Sequence, residues 1–174
     1  MSLCRWTLSG AMICSIPYTR VGTCKMVIFQ NTTQHQQSQT AYWLLHIFGD
    51  DFKSQGVNTI PEMISFIKEH WSNGDSMYVF IGPDENVLGA VGIDLTHNEP
   101  FLSNMFIIPS MRKYGYSKIL MRYAEIHTRR FQFDYIKLWC EQHLLDYYKK
   151  FGYDFVSKIV NGKGEPVFIL MKRL

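Results

Sequence analysis

The 174 residues are 47% hydrophobic and 15% aromatic, with a formal net charge of +3. That is enough apolar material for a buried core and too much for a disordered chain, and so small a net charge excludes a polyelectrolyte that holds nucleic acid by charge alone. The charge is nevertheless uneven: residues 1–111 carry 5 Lys/Arg against 9 Asp/Glu, residues 112–150 carry 9 against 4, and residues 151–174 carry 4 against 2. A polyanionic small ligand bound near residue 112 accounts for that asymmetry economically.

Residues 1–24 show no clean period and read as a short hairpin or an ordered arm outside the main domain. The four cysteines (Cys4, Cys14, Cys24 and Cys140) form no Cys-x-x-Cys pair, so reduced thiols in a cytoplasmic protein, with no metal site, are expected. No run of 18 apolar residues is present, and the apolar stretch at 6–18 is broken by Ser9, Gly10, Ser15 and Pro17, so neither a membrane span nor a signal peptide is expected.

Residues 25–30 (KMVIFQ) read as a strand, and the Gln-rich NTTQHQQSQT that follows reads as a connecting loop. Ala41, Leu44, Leu45 and Phe48 recur at helical spacing, with Gly49 expected to stop that helix. Thr59-Ile60-Pro61-Glu62 has the spacing of a capping box, and Ile60, Met63, Ile64, Ile67 and Trp71 form one face of a second helix ending at Asn73-Gly74. Residues 77–81 and 87–95 read as a hairpin around Gly-Pro-Asp-Glu-Asn, and residues 102–108 as the next strand. Residues 117–130 are helical, with Ile119, Leu120, Tyr123, Ala124 and His127 inward; 135–141 alternate as a strand; 142–151 form a short helix. Two last strands, 153–160 and 166–172, flank Asn161-Gly162-Lys163-Gly164.

The order β-α-α-β-β-β-α-β-α-β-β gives an α/β (α+β) domain over 25–174. A mixed, mostly antiparallel twisted sheet of six to seven strands carries helices on both faces. The crossover through residues 117–130 makes the strands on either side of it a parallel pair.

The basic turn Arg112-Lys113-Tyr114-Gly115-Tyr116-Ser117, between a strand and a helix N-terminus, is a plausible anion cradle, because the first N–H groups of a helix lack intrahelical acceptors. Ile107-x-Pro109-x-x-Arg112-x-x-Gly115-x-Ser117-x-x-Leu120 resembles the acyl-CoA pyrophosphate loop of GCN5-related N-acetyltransferases (GNAT). Tyr148-x-x-x-Gly152-Tyr153 resembles that family's second landmark. The resemblance implies acetyl-CoA as co-substrate. The N–H groups of Lys113, Tyr114, Gly115, Tyr116 and Ser117 would hold the pyrophosphate beside Arg112, and Phe106 and Ile107 would offer backbone groups to the pantetheine arm.

By the same resemblance Tyr148 is the candidate general acid for the leaving thiolate. Ser117 stands where the family usually has glycine or alanine; its hydroxyl could cap the helix or meet a phosphate. Phe101, six residues before Ile107, stands where many members carry a catalytic glutamate. The base is therefore open: Glu99 first, then Glu141, with Asp94, His97 and His143 nearby. Asp50, Asp51, Asp94 and Glu99 could form an acidic entrance for a cationic amine.

The expected activity is acetyl transfer to a primary amine of a small molecule or a protein, through a ternary complex. The alternatives are a GNAT-fold module that binds CoA or protein without turnover, and a nucleic-acid binder using residues 112–150, for which no RNA-recognition or helix-turn-helix signature exists. Oligomeric state stays open, a homodimer included.

Overall fold

The computed structural model describes residues 24–71, 75–95 and 99–174 in full and, before them, the backbone of residues 4–6 and 12–14. The expected helix end at Asn73-Gly74, the base candidate His97 and most of the N-terminal arm lie outside the described residues.

One sheet runs through the molecule in the order β1-β2-β3-β4-β5-β6-β7-β9-β8. Its strands are β1 (Cys4–Trp6), β2 (Met12–Cys14), β3 (Cys24–Ile28), β4 (Ser76–Ile81), β5 (Val87–Asp94), β6 (Phe101–Ile107), β7 (Tyr135–Cys140), β8 (Asp154–Val160) and β9 (Pro166–Arg173). Strands β3 to β9 are the expected six or seven, and β1 and β2 extend the sheet beyond β3. All neighbours are antiparallel except β6 and β7, the expected parallel pair.

Among the described residues four α-helices cover the two faces: α1 (Gln34–Lys53), α2 (Ile60–His70), α3 (Tyr116–Arg130) and α4 (Leu145–Lys149). Strand β4 shows how the faces are shared. Met77, Val79 and Ile81 join Leu44, Met63, Ile67 and Trp71 under α1 and α2, whereas Tyr78 and Phe80 join Leu120, Met121, Ile136, Leu138 and Leu170 under α3. A strand covered on both sides reads as a continuous apolar run, as SMYVFI does.

Two expectations about α1 are corrected. The polar stretch at 31–40 is mostly helix, because Thr33 and Gln36 close a capping box: the Gln36 N–H donates to Thr33 Oγ1 at 3.3 Å and the Thr33 N–H to Gln36 Oε1 at 3.0 Å. Its inward face is polar yet paired. The Gln36 amide donates to the Glu85 carbonyl, the Gln37 amide to the Thr32 carbonyl, and Thr40 to the Gln36 carbonyl. Gly49 does not stop the helix, which kinks at Phe48 (φ −117°, ψ 19°) and runs on to Lys53. Asp50 and Asp51 therefore sit on the last turn of α1, and the connection to α2 starts only after Lys53. The α2 capping box is present as expected, with Glu62 accepting the Thr59 N–H at 3.0 Å.

The feature that positions the site lies between β6 and β7. Their ladder has a single registered pair, Phe101 with Lys137, and the Lys137 N–H donates to the Pro100 carbonyl at 2.8 Å. Opposite Val91 of β5, strand β6 places the two residues Asn104 and Met105, with Asn104 at φ +47°. Such a bulge bends its strand. Beyond Lys137 the two parallel strands are not paired, and a cleft opens between their C-terminal ends.

Candidate functional site

The cleft encloses about 750 Å³. Leu102 to Met105 form one wall; Leu138 to Leu144 and Tyr148 form the other. Phe48 and Asp51 from α1, and Asn161, Lys163 and Glu165 from the β8–β9 turn, close its far end.

At the C-terminal end of β6 the chain makes one 3-10 turn at Pro109–Met111 and then the basic loop. Two residues there have left-handed backbone, Lys113 (φ +69°) and Gly115 (φ +81°). A Cβ on Gly115 would meet nothing within 4 Å, so conformation rather than crowding asks for glycine, and the space in front of the loop is open. No side chain caps α3, so no side-chain acceptor takes the first N–H groups at the positive end of this 15-residue helix. Arg112 does not point at that space: its Nε donates to the Ile107 carbonyl at 3.2 Å and braces the loop against β6. Phe106 buries its side chain under α1 and α2 and leaves only its backbone to the strand edge.

Ser117 neither caps the helix nor stands free. Its Oγ accepts a 2.6 Å hydrogen bond from the Tyr147 hydroxyl, tying the first turn of α3 to α4. Tyr148 faces the other way, into the cleft, and its ring meets Tyr147 and Tyr153 edge-on. Burial, then the neighbouring Tyr147 and Cys140, push its phenol pKa well above the ordinary tyrosine range, so Tyr148 is neutral at physiological pH.

The base candidates separate. Glu99 is absent from the cleft walls; it takes Lys137 at 2.6 Å at the closed end of the β6–β7 pair, where the same ammonium lies 5.9 Å from the Phe101 ring centroid. Glu141 lines the cleft, with His143 Nδ1 3.2 Å from its carboxylate.

The acidic entrance is not assembled as expected. Asp94 does not line the cleft, Asp50 pairs with Lys53 at 3.5 Å, and Asp51 pairs with Lys163 at 2.6 Å across the mouth. Glu141 and Glu165 join Asp51 in its place. Sequence reading missed the partnerships of Lys163 and Tyr147. The first spans 112 residues and the second 30, and no local pattern signals either.

The sequence model described as the acetyltransferase (GNAT) family matches residues 32–153. No curated protein sequence matches. Among solved structures, an aminoglycoside 6'-N-acetyltransferase complexed with coenzyme A superposes with a TM-score of 0.71 at 13% identity, over 85% of this chain and 96% of that one. An aminoglycoside 6'-acetyltransferase type Ii gives 0.69 at 16% identity, over 85% and 96%. A GNAT-family acetyltransferase from Staphylococcus aureus Mu50 gives 0.64 at 15% identity, over 87% and 99%. At these identities the likeness is one of fold.

Proposed function

Since the chain belongs to the GNAT acetyltransferase family, we propose that it transfers an acetyl group from acetyl-CoA directly to a primary amine within a ternary complex. The observation that carries this reading is the splay of β6 and β7, which opens a cleft with the Gly115 loop beyond the end of β6 and Tyr148 on the opposite wall. The N–H groups from Lys113 to Ser117, at a helix start with no side-chain cap, suit a pyrophosphate together with the Lys113 ammonium. The unpaired edge of β6 beside Phe106 and Ile107 suits the amides of a pantetheine arm.

In the reaction the amine nitrogen forms a bond to the thioester carbonyl carbon, the carbon–sulfur bond breaks, and the amine loses a proton. Tyr148 gives its phenolic proton to the departing thiolate. The Glu141–His143 pair, in the cleft while Glu99 is engaged by Lys137, accepts the amine proton directly or through water. Glu141 and Glu165 favour a cationic acceptor, and the same fold serves an aminoglycoside acetyltransferase.

Thermal shift with acetyl-CoA is the first test, because a ligand of the native state raises its apparent stability. Thiol release against an amine panel is the second. No shift at millimolar acetyl-CoA overturns the reading. A shift without thiol release for any amine leaves the CoA-binding module, which Phe101 in place of an acidic residue would favour.

A further inference from the structure

Helix α4, which carries Tyr148, is five residues long, and none of its side chains is completely buried. Leu145 and Tyr148, with Leu144 and Phe151 on either side of the helix, lean on the edge of the core. Apolar contacts of that kind have no direction, and by themselves they leave a single helical turn free to roll about its axis. One bond that leaves α4 does have direction. The Tyr147 hydroxyl donates to Ser117 Oγ at 2.6 Å, and among the described residues this is the only side-chain hydrogen bond from α4 to another element. The helix's ion pair, Lys149 with Asp146 at 3.6 Å, stays within it.

Consecutive residues of a helix point about 100° apart. Tyr147 therefore faces α3 while Tyr148 faces the cleft, and a bond that holds the first sets the direction of the second. The Tyr147 ring also stands edge-on to Tyr148, 5.2 Å between centroids, and to Phe151 at 5.1 Å. At the other end of the bond, Ser117 is the second residue of α3 and the last of the N–H groups assigned to the pyrophosphate. The tie thus runs from the loop that would seat the co-substrate to the helix that carries the proton donor. Glycine or alanine, the residues usual at that place in the family, could not accept it.

We propose that Tyr147 is a positioning residue: through its bond to Ser117 it fixes the roll of α4 and aims the Tyr148 phenol at the departing thiolate. The proposal rests on the acetyl-transfer reading and on Tyr148 as its acid.

The test is a double-mutant cycle on the full chain, in which thiol release from acetyl-CoA with one saturating amine is compared in the wild type, Tyr147→Phe, Tyr148→Phe and the double variant. A hydrogen bond of ordinary net strength biases an orientation by about 2- to 12-fold, so Tyr147→Phe should lower kcat by about that factor and leave KM for acetyl-CoA within about 2-fold. In the Tyr148→Phe background there is no phenol to aim, and the same replacement should change kcat by less than about 1.5-fold, because a residue that acts only through a second one has no effect once the second is gone. Ser117→Ala removes the bond from its other end, keeps the Ser117 N–H and should match Tyr147→Phe; it decides the matter if Tyr147→Phe does not fold. A loss that persists in the Tyr148→Phe background overturns the proposal, since Tyr147 then acts by packing or in the chemistry itself. Wild-type kcat in both Tyr147→Phe and Ser117→Ala overturns it as well. Absence of thiol release from the wild type with any amine overturns acetyl transfer, and wild-type kcat in Tyr148→Phe overturns the acid; each takes the positioning role with it, but is read from proteins in which the tie is intact.

Discussion

Replacing Tyr148 by phenylalanine removes one oxygen from a ring that the cleft wall already holds. The ring keeps its contacts with Tyr147 and Tyr153, and the hydroxyl makes no hydrogen bond to the described residues, so stability should change by less than about 0.5 kcal/mol. For a chain of this size that is a shift of under about 2 °C in melting temperature. The catalytic effect should be larger. General acid catalysis contributes about 10²- to 10⁴-fold, and a thiolate is a good leaving group, so the lower end applies: a loss of about 100-fold in kcat, or about 2.7 kcal/mol in the barrier. The raised pKa adds a signature. Because burial holds the phenol neutral, wild-type kcat should not fall on the alkaline side through the ordinary tyrosine range near pH 10. Thiol release measured from pH 6 to 10.5, with melting curves on both proteins, tests both statements. A variant with wild-type kcat across that range refutes the acid role; equal losses of stability and activity would make Tyr148 a packing residue.

Three other outcomes follow from separate parts of the molecule. Gly92→Ala would set a Cβ 2.7 Å from Ser103 Oγ and 2.9 Å from Trp71 Nε1, two buried groups without partners, and overpacking of about 1–3 kcal/mol should lower the melting temperature by roughly 2–12 °C; a loss below about 1 °C would mean that the space is slack. Burial raises the pKa of Tyr78 to about 12 and also raises those of Tyr123, Tyr148 and Tyr153. Between the unfolded value near 10 and these folded values the unfolded chain is the first to lose protons, so denaturant midpoints should fall above about pH 10, after a smaller decline that the raised thiols of Cys24 and Cys140 begin near pH 9. A midpoint constant to pH 11.5 would contradict the burial of these phenols. Lys163→Ala frees Asp51 at the cleft mouth, and because exposed pairs are worth under about 1 kcal/mol, KM for a diamine should fall only about 2- to 5-fold at low salt with kcat unchanged; a rise in KM would overturn the cationic-acceptor reading.

The sheet and its parallel pair were legible because strands covered on both sides, such as SMYVFI, are apolar runs, and because the connection through α3 allows only one hand. The start of α1 was not legible. Gln36, Gln37 and Thr40 face inward, and a buried face satisfied by hydrogen bonds carries no hydrophobic period, although Thr33-x-x-Gln36 was a capping signal in plain view. In the site, the loop could be read because its chemistry is local, one glycine with positive φ at a helix start. The fates of Glu99 and Asp51 could not. Lys137 and Lys163 reach them only after the sheet has formed, and spacing along the chain does not encode that neighbourhood.

The single rung between β6 and β7 has a consequence for how this protein fluctuates. Strands β1 to β6 form one plate and β7, β9 and β8 another, hinged at Phe101 and Lys137 with the Glu99–Lys137 pair as a clasp. On the β7 side facing the gap, amides beyond Lys137 have no strand opposite them, so they should exchange with solvent far faster than those of β4 and β5, which are paired on both sides. The sheet is in that sense one strand short. Whatever extended, amide-bearing molecule slides into the gap completes it, and its arrival should be readable as slowed hydrogen exchange along both plates.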